Sequence, residues 1–290
     1  MRPHTSPRAV AWLLCVAAAA LMAGCASRPQ APILEQPAGP AAAASAVAGR
    51  LDALLPADVL LLGEQHDAAE HQQIHQQVMA ILATRGLLAA VALEMADAGV
   101  STATLQPGAS EAQVRRALAW NDQAWPWQAY GPAVMTAVRA GVPVLGANLP
   151  RERMQASMAD RQLDGQLRGP ALKAQQQLIR TGHCNLLPEP QVTPMTRIQI
   201  ARDISLAGTL EQAVLPGKVV VLLAGSGHVD RQLGVPQHLP ADLNTKAVRL
   251  RAGPGPGADD DMAQAFDAVW PTPAVPVTDY CAGLKARLAP

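Results

Sequence analysis

Five short aliphatic runs constrain this chain most: "DVLLL" at 58–62, "AAVALEM" at 89–95, "VPVLGAN" at 142–148, "KVVVLLAG" at 218–225 and "KAVRL" at 246–250. They are continuous rather than alternating, so a strand made from any of them needs cover on both faces. Between them lie stretches with helical spacing. Ile74, Val78, Ile81 and Leu82 form a stripe within 68–85, residues 111–119 and 131–140 read as helices, and longer helical stretches fill 151–181 and 195–214. This alternation predicts an α/β fold, mainly a parallel sheet with helices on both faces, plus a helical insertion. With one Phe and two Tyr in 290 residues, the core must be built from Leu, Val, Ile and Ala. Residues 50–290 are long enough for one sizeable core.

In a parallel sheet the carboxyl ends of the strands lie along one edge, and ligands bind there. Here four of the runs end in polar residues: Gly63-Glu64-Gln65-His66-Asp67, then Glu94, then Asn148, then "GSGH" from Gly225 to His228. Imidazole and carboxylate together are the ligand set of a divalent transition metal, and equally the parts of a general acid/base pair. His66 leads the candidates, because it follows a strand beside two carboxylates; the alternative is a cap or strand-end hydrogen bond. His71 and His75 are spaced i,i+4 and share a helix face, without the Glu between them that an H-E-x-x-H metal grip would have. His71, nearer the strand end, is a site candidate. His75 is expected on a solvated face among glutamines.

These residues carry a resemblance. "LLGEQHDAAEHQQ", "VALEM", "WPWQAYGPAVMTAVRAGVPVLGANLPRE", "GHCNLLPE", "MTRIQIARDISLAGTL" and "VVLLAGSGHVDRQLGVPQHL" follow one another in order across about 55–240. This set resembles the ChaN-type haem-binding uptake lipoproteins of the Tiki/TraB superfamily, including two G-x-x-H motifs (Gly63–His66, Gly225–His228) and the intervening Glu94. The chain departs from the family pattern at Ala68-Ala69, Gln72 and Ser205-Leu206. The resemblance implies haem binding in iron acquisition, between facing subunits of a homodimer.

Haem needs an apolar slot, an axial ligand and cations for its propionates. Tyr130 is an axial candidate beside Trp125 and Trp127, which would flank a porphyrin face; the alternative is a core tyrosine. His183 is a second axial candidate. Tyr280 lies outside the resembling blocks and is expected away from the ligand. Arg151 and Arg202 are propionate candidates, with an ion pair to Asp203 or Glu211 as the alternative for Arg202. Two further functions compete with a haem binder. One is a metal-dependent hydrolase like the superfamily's metalloproteases, with His66, His228 and Glu94 holding the metal and Glu64 as base. The other is a non-catalytic periplasmic scaffold.

The N-terminus adds a location. Arg2 and Arg8 precede a short apolar run, which reads as a secretory signal over 1–24. "LMAG" before Cys25 resembles a bacterial lipobox, which implies lipidation of Cys25 and attachment to a membrane. No Asp follows to suggest inner-membrane retention, so the expected location is the periplasmic face of the outer membrane, where a haem receptor is a possible partner. Residues 25–49, Pro/Ala-rich, read as a tether, and 50–290 as the haem-binding domain. Removing 1–24 leaves Cys184 and Cys281 beyond the lipidated Cys25, a pair that suggests one disulfide in an oxidising compartment. The formal net charge is zero and no basic face is present for nucleic acid.

Overall fold

The aliphatic runs become neighbouring strands of one six-stranded sheet in order β3-β2-β4-β1-β5-β6, every pairing parallel. The computed structural model describes residues 40–254 and 264–288; the signal segment, the lipobox and Cys25 lie outside the described residues. The strands are β1 (Val59–Glu64), β2 (Leu88–Asp97), β3 (Val144–Asn148), β4 (Val219–Gly225), β5 (Thr245–Ala252) and β6 (Ala268–Thr272). The sixth, "AVWPT", is too short and too mixed to stand out as a strand, and Pro271 sits in it at the sheet edge, where a missing N–H is tolerated.

The helices are α1 (Pro40–Asp52), α2 (Ala69–Thr84), α3 (Glu111–Ala117), α4 (Trp127–Arg139), α5 (Met154–Ala159), α6 (Gly169–Gly182), α7 (Glu189–Ala213) and α8 (Tyr280–Leu288). The segment read as a tether is already helical from Pro40, and Val47 and Leu51, one turn apart, are buried in the core. The long helical stretch expected over 151–181 is divided into α5 and α6 by 3-10 turns at Arg151–Arg153 and Arg161–Gly165. With α7 these form the helical insertion between β3 and β4, which has a small core of its own around Leu149, Leu163, Leu167 and Ile200.

Strand alternation sorts side chains to the two faces. Leu60, Leu62, Val91, Leu93, Val221 and Leu223 pack against Val78, Met79 and Leu82 of α2 and Val134 and Val138 of α4. Val59, Leu61, Ala90, Ala92, Val220 and Leu222 pack against Leu206 and Leu210 of α7. By the same alternation Glu64 falls on the α2/α4 face and Glu94 on the α7 face. β4 lies between β1 and β2, and Glu64 stands level with Gly225. Three strand ends are therefore contiguous at the carboxyl edge.

Candidate functional site

The edge opens into a cleft of about 660 Å³ lined by the 64–67 turn, Glu94, Gln199, the 225–228 loop and Tyr280. Two buried acids stand at its floor, one on each face of the sheet, and each has its own set of donors.

Glu64 is only 1% exposed, yet both its oxygens are hydrogen-bonded. Oε1 accepts from the Tyr130 hydroxyl at 2.6 Å and from His66 Nδ1 at 2.7 Å, and Oε2 accepts from Gln72 Nε2 at 2.8 Å. Burial alone would raise this carboxyl. The hydrogen bond from His66, the nearby His75 and the Tyr130 hydroxyl outweigh it and hold Glu64 below its usual range. Buried and hydrogen-bonded on both oxygens, Glu64 is held as an acceptor for its neighbours. Its work is to fix His66. With Nδ1–H committed to Glu64, the imidazole turns Nε2 into the cleft, and 41% of the His66 side chain is exposed. Burial pushes His66 down; its hydrogen bond to Glu64 and the charges of Glu94 and Glu64 push it up by more. Trp125 sets an edge against the ring at 4.9 Å.

The second acid, Glu94, accepts the Gly225 N–H on Oε2 at 2.7 Å and has His228 Nε2 3.4 Å from Oε1. His228 donates from Nδ1 to Asp203 Oδ1 at 2.5 Å. Burial opposes the imidazolium, but the two flanking acids prevail and push His228 up to about 10. Burial likewise opposes the Glu94 anion, but the charge and hydrogen bond of His228 hold its carboxyl down at about 2. The Asp203–His228–Glu94 row therefore keeps its proton through neutral pH. The two half-sites meet at His66, whose Nε2 is 3.9 Å from Glu94 Oε2.

Local sequence explains the placement. The strand does not stop at Gly63 but runs to Glu64, and a Cβ at Gly63 would stand 2.3 Å from Val229 Cγ2. At Gly225 a Cβ would meet His66 Nε2 at 2.9 Å, so the glycine is the space in which the imidazole lies.

Of the residues expected at the mouth, Glu64, His66, Asp67, Glu94 and His228 are brought together. The others are corrected. Asn148 is buried and braces the chain, donating to the Glu94 carbonyl and accepting the Leu149 N–H. His71 is buried behind the turn, accepting the Gln65 N–H on Nδ1 with Nε2 on Thr272. His75 is not on a solvated face; it is fully buried with Nδ1 3.7 Å from Glu64 Oε2, because α2 rotates this face onto the sheet. Tyr130 is a core residue that does not line the cleft; its phenol donates to Glu64, and burial and that carboxylate push it far above its ordinary range. Trp127 is buried as well, donating to Glu111. His183 closes the end of α6, bonded to the Ile179 carbonyl, and Arg151 and Arg202 do not line the cleft. No Lys or Arg does.

Sequence reasoning missed Gln72, Asp203, Gln199 and the placement of Tyr280. Asp203 left a signal: it lies in the α7 stripe Thr196, Ile200, Leu206, Leu210, and an acid within a buried stripe needs a partner. Gln72 sits where the chain departs from the family pattern, and it is built into the site as a Glu64 donor. Cys184 and Cys281 are bonded, their Cα atoms 5.7 Å apart.

Residues 50–239 match the family described as "Haem-binding uptake, Tiki superfamily, ChaN". The chain belongs to the ChaN family. Among solved structures it is similar to ChaN of Campylobacter jejuni, described there with cofacial haem binding, at 24% identity and a TM-score of 0.63 over 77% of this chain and 90% of that one. No curated protein matches. Among the described residues, no group of three or more His, Cys, Asp or Glu is arranged to hold a metal ion.

Proposed function

We propose that this chain is a haem-binding lipoprotein of haem and iron uptake that takes haem at the carboxyl-edge cleft. The observation that carries the reading is His66. Its Nδ1 is fixed by a buried, hydrogen-bonded carboxylate, and its Nε2 faces a cleft whose volume falls within the roughly 300–1,000 Å³ of small-molecule sites. An imidazole oriented through one nitrogen by a carboxylate and open at the other is a ready iron ligand. Bound haem would supply iron as cargo rather than reaction chemistry. His66 would hold it, Glu64 would orient His66, and Gly225 would leave room for the ring. With no cation among the described residues of the cleft wall, propionates are best accommodated at the open mouth.

Attachment through a lipid on Cys25, the periplasmic face of the outer membrane, a haem receptor as partner and a homodimer with facing clefts complete the proposal. The lipobox supports the anchor, and the cofacial haem of the Campylobacter jejuni relative supports the facing copies. Titration of the full chain with ferric haem, followed at the Soret band, tests the reading. Binding by the wild type and a loss of at least about tenfold in His66→Ala are expected; equal binding by both would refute it.

A further inference from the structure

The family match ends at residue 239, yet a residue of the last helix reaches the cleft. Tyr280 opens α8, whose first turn is capped by Asp279 Oδ1 accepting the Cys281 and Ala282 N–H groups. The phenol donates to Asp67, which directly follows His66 in the 64–67 turn. The ring is nevertheless 61% exposed, standing at the mouth rather than in the core.

Hydrophobic burial does not hold α8 there. Its described residues are exposed or half-buried, Val277 just before it is fully exposed, and α8 shares no broad packing face with another element among the described residues. The firm link is Cys281, next to Tyr280, bonded to Cys184 at the end of α6. Cys184 itself occupies a left-handed position (φ 58), and the Asn185 N–H after it closes back on the Arg180 carbonyl. A helix end of this kind normally has glycine, because a side chain there is disfavoured. A cysteine at that place earns its keep through the bond it makes.

We infer that Tyr280 is a contact residue for the occupant of the His66 cleft, held at the mouth by the Cys184–Cys281 bridge and by Asp67, so that the bridge controls how firmly the occupant is retained. This rests on the haem reading of the cleft. The bridge does not touch the cleft floor; it acts by fixing where Tyr280 stands. Without the bond, α8 is free to leave and the mouth loses one wall.

The test uses the full chain and ferric haem, measuring affinity and dissociation rate for the wild type, Tyr280→Ala, Tyr280→Phe, the Cys184→Ser/Cys281→Ser pair and the three-site combination. Melting curves confirm that each is folded. Tyr280→Ala and the serine pair should each weaken haem retention by about tenfold, the scale of one well-packed contact. The combination should lose no more than either alone, because both remove the same wall. Tyr280→Phe, keeping the ring but not the bond to Asp67, should fall between. If the wild type binds haem and the alanine and serine variants bind it equally well, the inference is overturned while the haem reading stands. If the wild type binds no haem, both fall.

Discussion

Glu64, His66 and Tyr130 show how a strand-end acid is put to use at the scale of single residues. Glu64 takes three donors and in return fixes one imidazole. Tyr130→Phe removes one donor from a buried carboxylate and should cost about 1–3 kcal/mol, seen as a lower melting midpoint. His75 is a different case. Buried with neither ring nitrogen hydrogen-bonded, it is pushed down to about 4 by desolvation. A base with a lowered folded pKa loses stability as pH falls below its unfolded value of 6.5, where the unfolded chain takes up a proton that the folded chain refuses. His75→Phe should therefore flatten the loss of stability between pH 6.5 and about 4, measured as melting midpoint against pH. An unchanged acid limb would show that His75 is not buried neutral.

At the scale of elements, the strand ends and the helices behind them divide the site. β1 with α2 and α4 builds the Glu64 half; β2 and β4 with α7 build the Glu94 half. The elements are joined so tightly that small residues matter. Gly225→Ala should push the His66 ring from its place and weaken haem binding at least as much as His66→Ala, with little change in melting midpoint, since the conflict is with an exposed side chain. Gly63→Ala should instead lower the midpoint, because its Cβ meets Val229 and the Ser226 backbone in the packed interior. Comparing the two variants separates the site from the scaffold at Gly63, one residue before Glu64. Midpoints that moved equally would refute this division.

For the whole molecule, the Asp203–His228–Glu94 row ties α7 to the sheet edge. It belongs to stability as much as to the site. Replacing His228 by Ala would leave two buried acids facing a void, a loss of roughly 3–5 kcal/mol. The pH dependence has a definite sign. His228, raised to about 10, contributes fully below its unfolded value of 6.5 and loses that contribution as pH rises to 10. Glu94, lowered to about 2, contributes above 4.5 and loses it as pH falls. Asp203, pushed up by burial, has the opposite sign to Glu94, so the clean measurement is a difference. The stability gap between wild type and His228→Gln should be widest between pH 4.5 and 6.5 and close toward pH 10. A gap that is flat with pH would mean that the imidazole is neutral.

The amino-acid sequence by itself determined the parallel sheet and the floor of the cleft. Continuous aliphatic runs need cover on both faces, and their polar ends must gather at one edge; this made Glu64, His66, Glu94 and His228 legible. It also suggested the cysteine pair. Tertiary structure alone decided which way each remaining polar residue faces. Asn148 and His71 share the character of the site residues but turn inward, His75 looks solvated by its neighbours yet rotates onto the sheet, and Tyr130 becomes a brace instead of a ligand. Helix rotation and packing against the second layer set these outcomes, and no spacing along one segment encodes them. Tyr280 is the extreme case: more than 200 residues separate it from Asp67, and a covalent bond to a third element brings the two together.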